Sequence, residues 1–258
     1  MTTVNLDPSV AEMVTLLREL NHRIDNQFAS AIGLISVEAV RADSAEAKAV
    51  LANVVELLCG YGDVHRALLK PEYQTLLDSG SYLRKLGRTL RSALLDRLHI
   101  QLTVKGHRLA LQPQRCWRLG LIVHELVTNA AKHACFDDRS GEINIEIART
   151  DSLVNCVVSD SGSVAIGPSR RQRRGLRIVA DLARGLGGRI ENGVGPGFRS
   201  VVLSFPLSDR ERKANCAIDS RATPPCQMRP PKPGVIRRRG MESLERAVHA
   251  KIAAPLAS

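Results

Sequence analysis

His124-Glu125-Leu126-Val127-Thr128-Asn129-Ala130-Ala131-Lys132-His133-Ala134 is the stretch on which the reading of the fold turns. At 3.6 residues per turn, Glu125, Asn129 and the Lys132/His133 pair lie three or four residues apart and share one helix face. Leu119, Ile122, Leu126, Val127 and Ala130 make the apolar face of the same helix. Such a helix is either an amphipathic helix with a solvated side or the wall of a polar pocket. The flanking sequence has to separate the two.

Upstream, Ser81 to Leu98 has helical periodicity, and His99 to Val104 alternates like a strand. The helix with the polar row spans Gln114 to Ala134. Downstream, Glu142 to Ala148 alternates strictly (E-I-N-I-E-I-A), which predicts a strand with one buried face, and Leu153 to Ser159 predicts a second. A polar, arginine-rich loop follows, and then a helix from Gly175 to Leu186 that Gly187-Gly188 ends. Arg189-Ile190 and Arg199 to Phe205 complete the strands. Helices and strands intermix in this region, which predicts an α/β sandwich: a mixed sheet with helices on one face.

The first seventy residues read differently. Pro8 to Arg41 forms one long helix, with Met13, Leu17, Leu20, Ile24, Ala31 and Ile35 as an apolar stripe. Asp43-Ser44 offers a turn and a helix cap. A second helix runs to about Leu69, with Val50, Val54, Leu57, Leu58, Tyr61, Val64 and Leu68 facing inward, and Pro71 stops it. A lone helical hairpin has little partner surface for two stripes. Either a second copy completes a four-helix bundle, giving a homodimer, or the stripes pack on the rest of the chain. The fold class is therefore α+β, with a helical hairpin at 8–72, an α/β sandwich at 80–207 and a basic, Pro-rich tail at 208–258 that is expected to be largely disordered. Met241 to Ala253 in that tail has the pattern of a short amphipathic helix.

Composition narrows the function classes. The 258 residues are 44% hydrophobic but only 3% aromatic, so the core is built from Leu, Val, Ile and Ala. No apolar run is long enough to span a membrane, and the N-terminus lacks a signal-peptide pattern, so a cytoplasmic protein with no membrane partner is expected. The cysteines (Cys59, Cys116, Cys135, Cys156, Cys216, Cys226) have no C-x-x-C spacing and read as reduced, mostly core thiols. The net charge of +11 is concentrated in Arg170 to Arg177 and in the tail, not spread as a footprint. With few aromatics and no reading motif, this argues against nucleic-acid binding as the main function.

One segment of the first helix carries chemistry. In Leu20-Asn21-His22-Arg23-Ile24-Asp25-Asn26, His22 lies about 200° around the helix from Leu20 and points outward, with Arg18 and Asn26 one turn away on the same face. An exposed neutral imidazole beside a cation and an amide suits acceptance of a phosphoryl group. By itself the same pattern also fits a solvated surface histidine. The segment resembles the phosphoacceptor box of the histidine kinases whose motif reads H-R-x-x-N, relatives of the HWE class. Val64-His65-Arg66-Ala67-Leu68-Leu69 resembles the same subgroup. Asp25 departs from it, standing where a basic residue is common.

Leu119 to Ala134 resembles the N-box of the GHKL (Bergerat-fold) ATPases. Carried over by motif, the resemblance implies that Asn129 binds Mg²⁺, that Glu125 orients or deprotonates the attacking group, and that Lys132 and His133 contact phosphates. Val157-Val158-Ser159-Asp160-Ser161-Gly162 resembles the first glycine box, in which Asp160 would accept a hydrogen bond from the adenine amino group beside Gly162. Gly175 and Leu176 match the remnant of the second glycine box. There are two departures: Val164 and Arg173 stand where the family has glycine, which argues for weaker or rearranged ATP binding. The arginines beside them either bind phosphates in place of those contacts or form a solvated charge run. The resemblance covers about Leu16 to Leu207. It implies a two-component histidine kinase that uses ATP and Mg²⁺, phosphorylates His22, and passes the phosphoryl group to the receiver domain of a response regulator. An upstream sensor protein or the tail would supply the signal. The eroded glycines keep a second reading open, a histidine phosphotransferase or pseudokinase whose ATPase domain serves as a docking surface.

Overall fold

The computed structural model describes residues 8–69, 75–135, 141–164, 170–195 and 198–222. The chain divides into two compact units, one of Met1–Ala67 with Ser92–Leu94 and one of Leu68–Arg91 with Leu95–Ser258.

The first unit is the helical hairpin. α1 (Pro8–Arg41) and α2 (Ala45–Ala67) pack against each other. Proline at the first position of α1 is tolerated because the amide it lacks has no helical partner there. Glu19–Arg23 and Glu38–Arg41 pairs line the exposed side. Ser44 caps α2 by accepting from the Ala47 amide at 3.0 Å, as the sequence predicts. Ile24, Ala31 and Ile35 are half-buried, as are Val54, Leu57 and Leu58. The rest of the stripe departs from expectation. Met13, Leu17 and Leu20 remain 52–62% exposed, and Val50 and Tyr61, expected to face inward, are exposed as well. Two helices bury only the strip along their line of contact, and the apolar face written into each is wider than that strip. Leu68 follows the end of α2, and Pro71 lies outside the described residues.

The second unit begins with β1 (Leu77–Asp78) and α3 (Ser79–Leu90). Asp78 caps α3, accepting from the Gly80 amide at 3.1 Å and from Ser81 Oγ at 2.6 Å. The helix therefore starts two residues earlier than predicted. It changes to a π turn at Arg91–Leu95 and a 3-10 turn at Asp96–Leu98, ending on His99 in the left-handed region. β2 (Gln101–Gly106) and β3 (Ala110–Leu111) lead into α4 (Pro113–His133). Next come β4 (Ala134–Cys135), β5 (Glu142–Thr150), β6 (Leu153–Asp160) and β7 (Ser163–Val164). α5 (Arg170–Arg184), β8 (Arg189–Gly195), β9 (Phe198–Pro206) and α6 (Asp209–Ala222) complete the described chain.

Five strands form a mixed sheet in the order β2-β5-β6-β9-β8, with β2 parallel to β5 and the other pairs antiparallel. Strict alternation places Ile143, Ile145, Ile147, Val154, Cys156, Val158, Leu203 and Phe205 on one buried face. That core also holds Leu83, Leu86 and Leu90 of α3, Leu119, Ile122, Val123, Leu126 and Val127 of α4, and Val179 and Ala183 of α5. Cys116 and Cys156 are buried free thiols whose pKa burial pushes up to about 12, while Cys59 and Cys216 are exposed. Gly187, at φ +69°, ends the α5 turn, with the Gly188 amide bonded to Ala183 O.

Two expectations are corrected. Arg170–Arg174, predicted as loop, is the first turn of α5: arginine is a good helix former, and no glycine or proline interrupts the run. The patternless tail also begins later than 208. Residues 209–222 form α6, set by a capping box in which Ser208 N and Oγ both donate to Glu211 Oε2. α6 is docked by polar groups. Glu211, fully buried, accepts from the Gln112 amide at 2.7 Å and pairs with Arg115 Nε at 3.2 Å. Asn215 both donates to and accepts from the backbone of Ala110. The rest of the tail, with Met241 to Ala253, lies outside the described residues.

Candidate functional site

α4 is the backbone of the site. Its N-terminal end is anchored at three neighbours: Arg115 donates to Leu186 O and Pro206 O, and its guanidinium lies 5.2 Å from the ring centre of Phe205. Its apolar face is sealed against the sheet. The polar row therefore has a fixed direction. Asn129 Nδ2 donates to Glu125 Oε1 at 3.3 Å, one turn away. Both side chains lie against α5 at Gly175, where an added Cβ would stand 2.0 Å from Glu125 Oε1 and 3.4 Å from Asn129 Nδ2. Gly175 thus admits the carboxylate and amide to the α5 backbone. Lys132 is exposed at the far end of the row, and His133 closes the helix with its side chain outside the described part. Leu176 is exposed on α5. The side chains of Arg173 and Val164 also lie outside it.

His124, preceding the row, is half-buried. Burial pushes its pKa down, opposed by Glu125 and assisted by Lys132. Asp160 ends β6 with 8% exposure. Its Oδ1 accepts from the Gly162 amide at 3.1 Å, and the loop is pinned further by Ser161 N to Glu142 O and Glu142 N to Ser161 Oγ, each 2.9 Å. Directly across the sheet, Arg199 Nε lies 3.3 Å from Asp160 Oδ2 and 3.5 Å from Oδ1. Burial raises the Asp160 pKa, and Arg199 and the Gly162 amide oppose that rise.

In the hairpin, His22 is exposed on α1. Asp25 is turned to α2, with Oδ1 3.3 Å from His65 Nδ1 and 4.0 Å from Arg66 Nη1. The charge that departs from the family pattern is thus offset across the hairpin. The Phe28 ring backs His65 at a centroid distance of 6.4 Å.

The structure brings Glu125, Asn129 and Gly175 together, and places Asp160 and Gly162 in one turn of the same unit. His22 belongs to the other unit. Three groups escaped the sequence reading: Arg199, the Asp25–His65 pair, and the Arg115–Glu211–Asn215 anchor. Arg199 was read only as the start of a strand, because its partner depends on strand register. His65 and Arg66 were already visible as a motif, and helical spacing alone does not join them to Asp25. Ser208-x-x-Glu211 was a legible capping signal.

Residues 19–94 match the family described as "Histidine kinase", and residues 92–195 the "Histidine kinase-like ATPase domain". Sensor histidine kinase PdtaS of Mycolicibacterium smegmatis is 28% identical over 206 residues, covering 77% of this chain and 41% of that protein. Blue-light-activated histidine kinase 2 of Erythrobacter litoralis is 23% identical over 206 residues, covering 78% and 59%. The chain thus spans between two fifths and three fifths of these relatives. The solved histidine kinase domain of the Erythrobacter litoralis EL346 blue-light activated kinase shares the fold at a TM-score of 0.50 and 22% identity, covering 79% of this chain and 98% of that one. A solved structure described as a bacterial phosphotransferase shares it at a TM-score of 0.51 and 11% identity, covering 79% and 100%.

Proposed function

We propose that this chain, which belongs to the histidine-kinase family through both of its domains, is an ATP-dependent protein-histidine kinase of a two-component system. The observation that carries this reading is the α4 row, with Glu125 and Asn129 side by side against the bare backbone of Gly175. A carboxylate and an amide held side by side on one helix face suit a nucleotide polyphosphate and its metal, with Asn129 contributing to Mg²⁺ and Lys132 and His133 to the phosphates. Among the described residues no cluster of three or more His, Cys, Asp or Glu is placed to hold a metal, so a Mg²⁺ ion here takes most of its oxygens from phosphate and water. The bound metal supplies neutralisation of phosphate charge.

In this reading His22 takes the terminal phosphoryl group of ATP. A P–N bond forms at the imidazole, the P–O bond to the bridging oxygen breaks, ADP leaves, and Glu125 orients the imidazole or takes its proton. The phosphoryl group then passes to an aspartate carboxylate of a response-regulator receiver domain, which restores neutral His22. The exposed apolar residues Met13, Leu17 and Leu20 support a homodimer in which two hairpins make a four-helix bundle, each such side chain, already about half buried, gaining roughly 1–2 kcal/mol on full burial. A partner sensor protein is the proposed source of the signal. A cytoplasmic site of action is part of this reading; among the described residues no helix is long and apolar enough to cross a membrane.

A second reading, a phosphotransferase with a vestigial ATPase domain, is favoured by one feature: the carboxylate assigned to adenine is already engaged by Arg199. Incubation with γ-labelled ATP and Mg²⁺ separates the two. The kinase reading expects an acid-labile label that is absent from His22→Ala and strongly reduced in Asn129→Asp. An unlabelled wild-type protein that still accepts phosphate from a phosphorylated receiver domain supports the second reading.

A further inference from the structure

Asp160 is the most buried carboxylate of the candidate site, and contacts reach both of its oxygens. Oδ1 accepts from the Gly162 amide, and Arg199 Nε reaches Oδ1 and Oδ2 at 3.5 and 3.3 Å. The contact is built into the sheet, because Asp160 and Arg199 are direct register partners on β6 and β9 and so project from the same face. It is also sheltered. The Asp160 side chain is 9% exposed and that of Arg199 20%, so water competes weakly for either. At 3.3–3.5 Å the contact is an ion pair with a long hydrogen bond, and its shelter from water strengthens the attraction.

We propose that Arg199 sets how this site treats the nucleotide base: its guanidinium holds the Asp160 carboxylate and competes for it with the exocyclic amino group of a purine. This inference rests on the nucleotide reading of the pocket and adds to it a residue that no motif assigned. Its consequence is a muted preference in the native chain. ATP, which carries the 6-amino donor, and purine riboside triphosphate, which lacks it, bind with similar affinity, because the gain from the amino group is offset by the loss of the Arg199 contact. Replacing the guanidinium with an apolar stem of similar length frees the carboxylate.

The test is equilibrium binding of the two triphosphates, with Mg²⁺, to the full chain and to Arg199→Met, Arg199→Lys, Arg199→Gln and Arg199→Met/Asp160→Asn, with thermal melts of each as a fold control. The expected result is a gain of roughly three- to tenfold in ATP affinity for Arg199→Met, the size of one ordinary hydrogen bond. Affinity for purine riboside triphosphate stays unchanged, and the gain disappears in the double variant. Arg199→Lys, which keeps the cation, stays near wild type. Arg199→Gln, which keeps the stem and loses the charge, moves towards Arg199→Met and serves if the methionine variant melts early. Binding of both triphosphates with no change in their ratio overturns the role of Arg199 and leaves the nucleotide site standing. Binding of neither triphosphate to any form removes the nucleotide site, and Arg199's role with it.

Discussion

Leu119 of α4 and Leu20 of α1 have the same side chain and opposite fates. Leu119 is sealed at 0% exposure, while Leu20 keeps 52%. The sheet unit closes its own core, because three helices cover one alternating face of five strands. The hairpin cannot do so, because two helices bury only the strip between them. The difference teaches that apolar periodicity reports what a face seeks, not whether the same chain supplies it. Here the unit with the finished core carries the polar row on α4, and the unit with the unfinished one carries His22.

The comparison breaks first, and with the largest effect, at the cores. Phe205→Ala is expected to lower the unfolding free energy of the sheet unit by about 3–5 kcal/mol in urea titration. Leu20→Ala is expected to leave the unfolding free energy of the sheet unit unchanged within about 0.5 kcal/mol while weakening self-association in sedimentation equilibrium. Equal unfolding costs for the two would contradict the distinction. Next is the α6 anchor. Glu211→Ala leaves Arg115 without its carboxylate and the Gln112 and Ser208 amides unpaired, for a loss of about 3 kcal/mol. The hairpin is expected to melt as before, which two-probe unfolding checks.

The smallest effect is in acid and is expected in the sheet unit. His124 has a lowered folded pKa, so its contribution is complete above its unfolded value of about 6.5 and is lost as pH falls through the folded value. Asp78 is pushed up by burial but held below the usual range overall by Ser81, Leu109, Gly80 and the Ser81 amide. Its contribution is therefore present above pH of about 4 and lost below its lowered folded value. Stability measured from pH 7 to 3 is expected to show both losses, the more acid one partly offset by Asp160, whose raised pKa adds stability as it protonates, and the His124 step is absent from His124→Gln.

Much of this was legible in the sequence where the signal is local. Strict alternation located β5, and the N-box face located Glu125 and Asn129. Ser44 and Gly187-Gly188 marked helix boundaries by their own chemistry. What was missed is non-local or polar. α6 has no apolar stripe to find, since the side chains it buries, among those described, are Glu211 and Asn215. Arg199 reaches Asp160 only through the β6–β9 register, 39 residues apart in sequence. The two-residue pairs β1–β3 and β4–β7 are too short to show any period. Of the candidate site, the α4 row was readable, and the contact of Arg199 with Asp160 was not.

The measurement that tests the account most directly is to locate the phosphoryl group after incubation with ATP and Mg²⁺, by mass spectrometry of peptides kept at neutral pH. The account predicts it on His22, with His65, His124 and His133 unmodified. A phosphoryl group on any other residue, or none on His22 in protein shown to bind ATP, would contradict it.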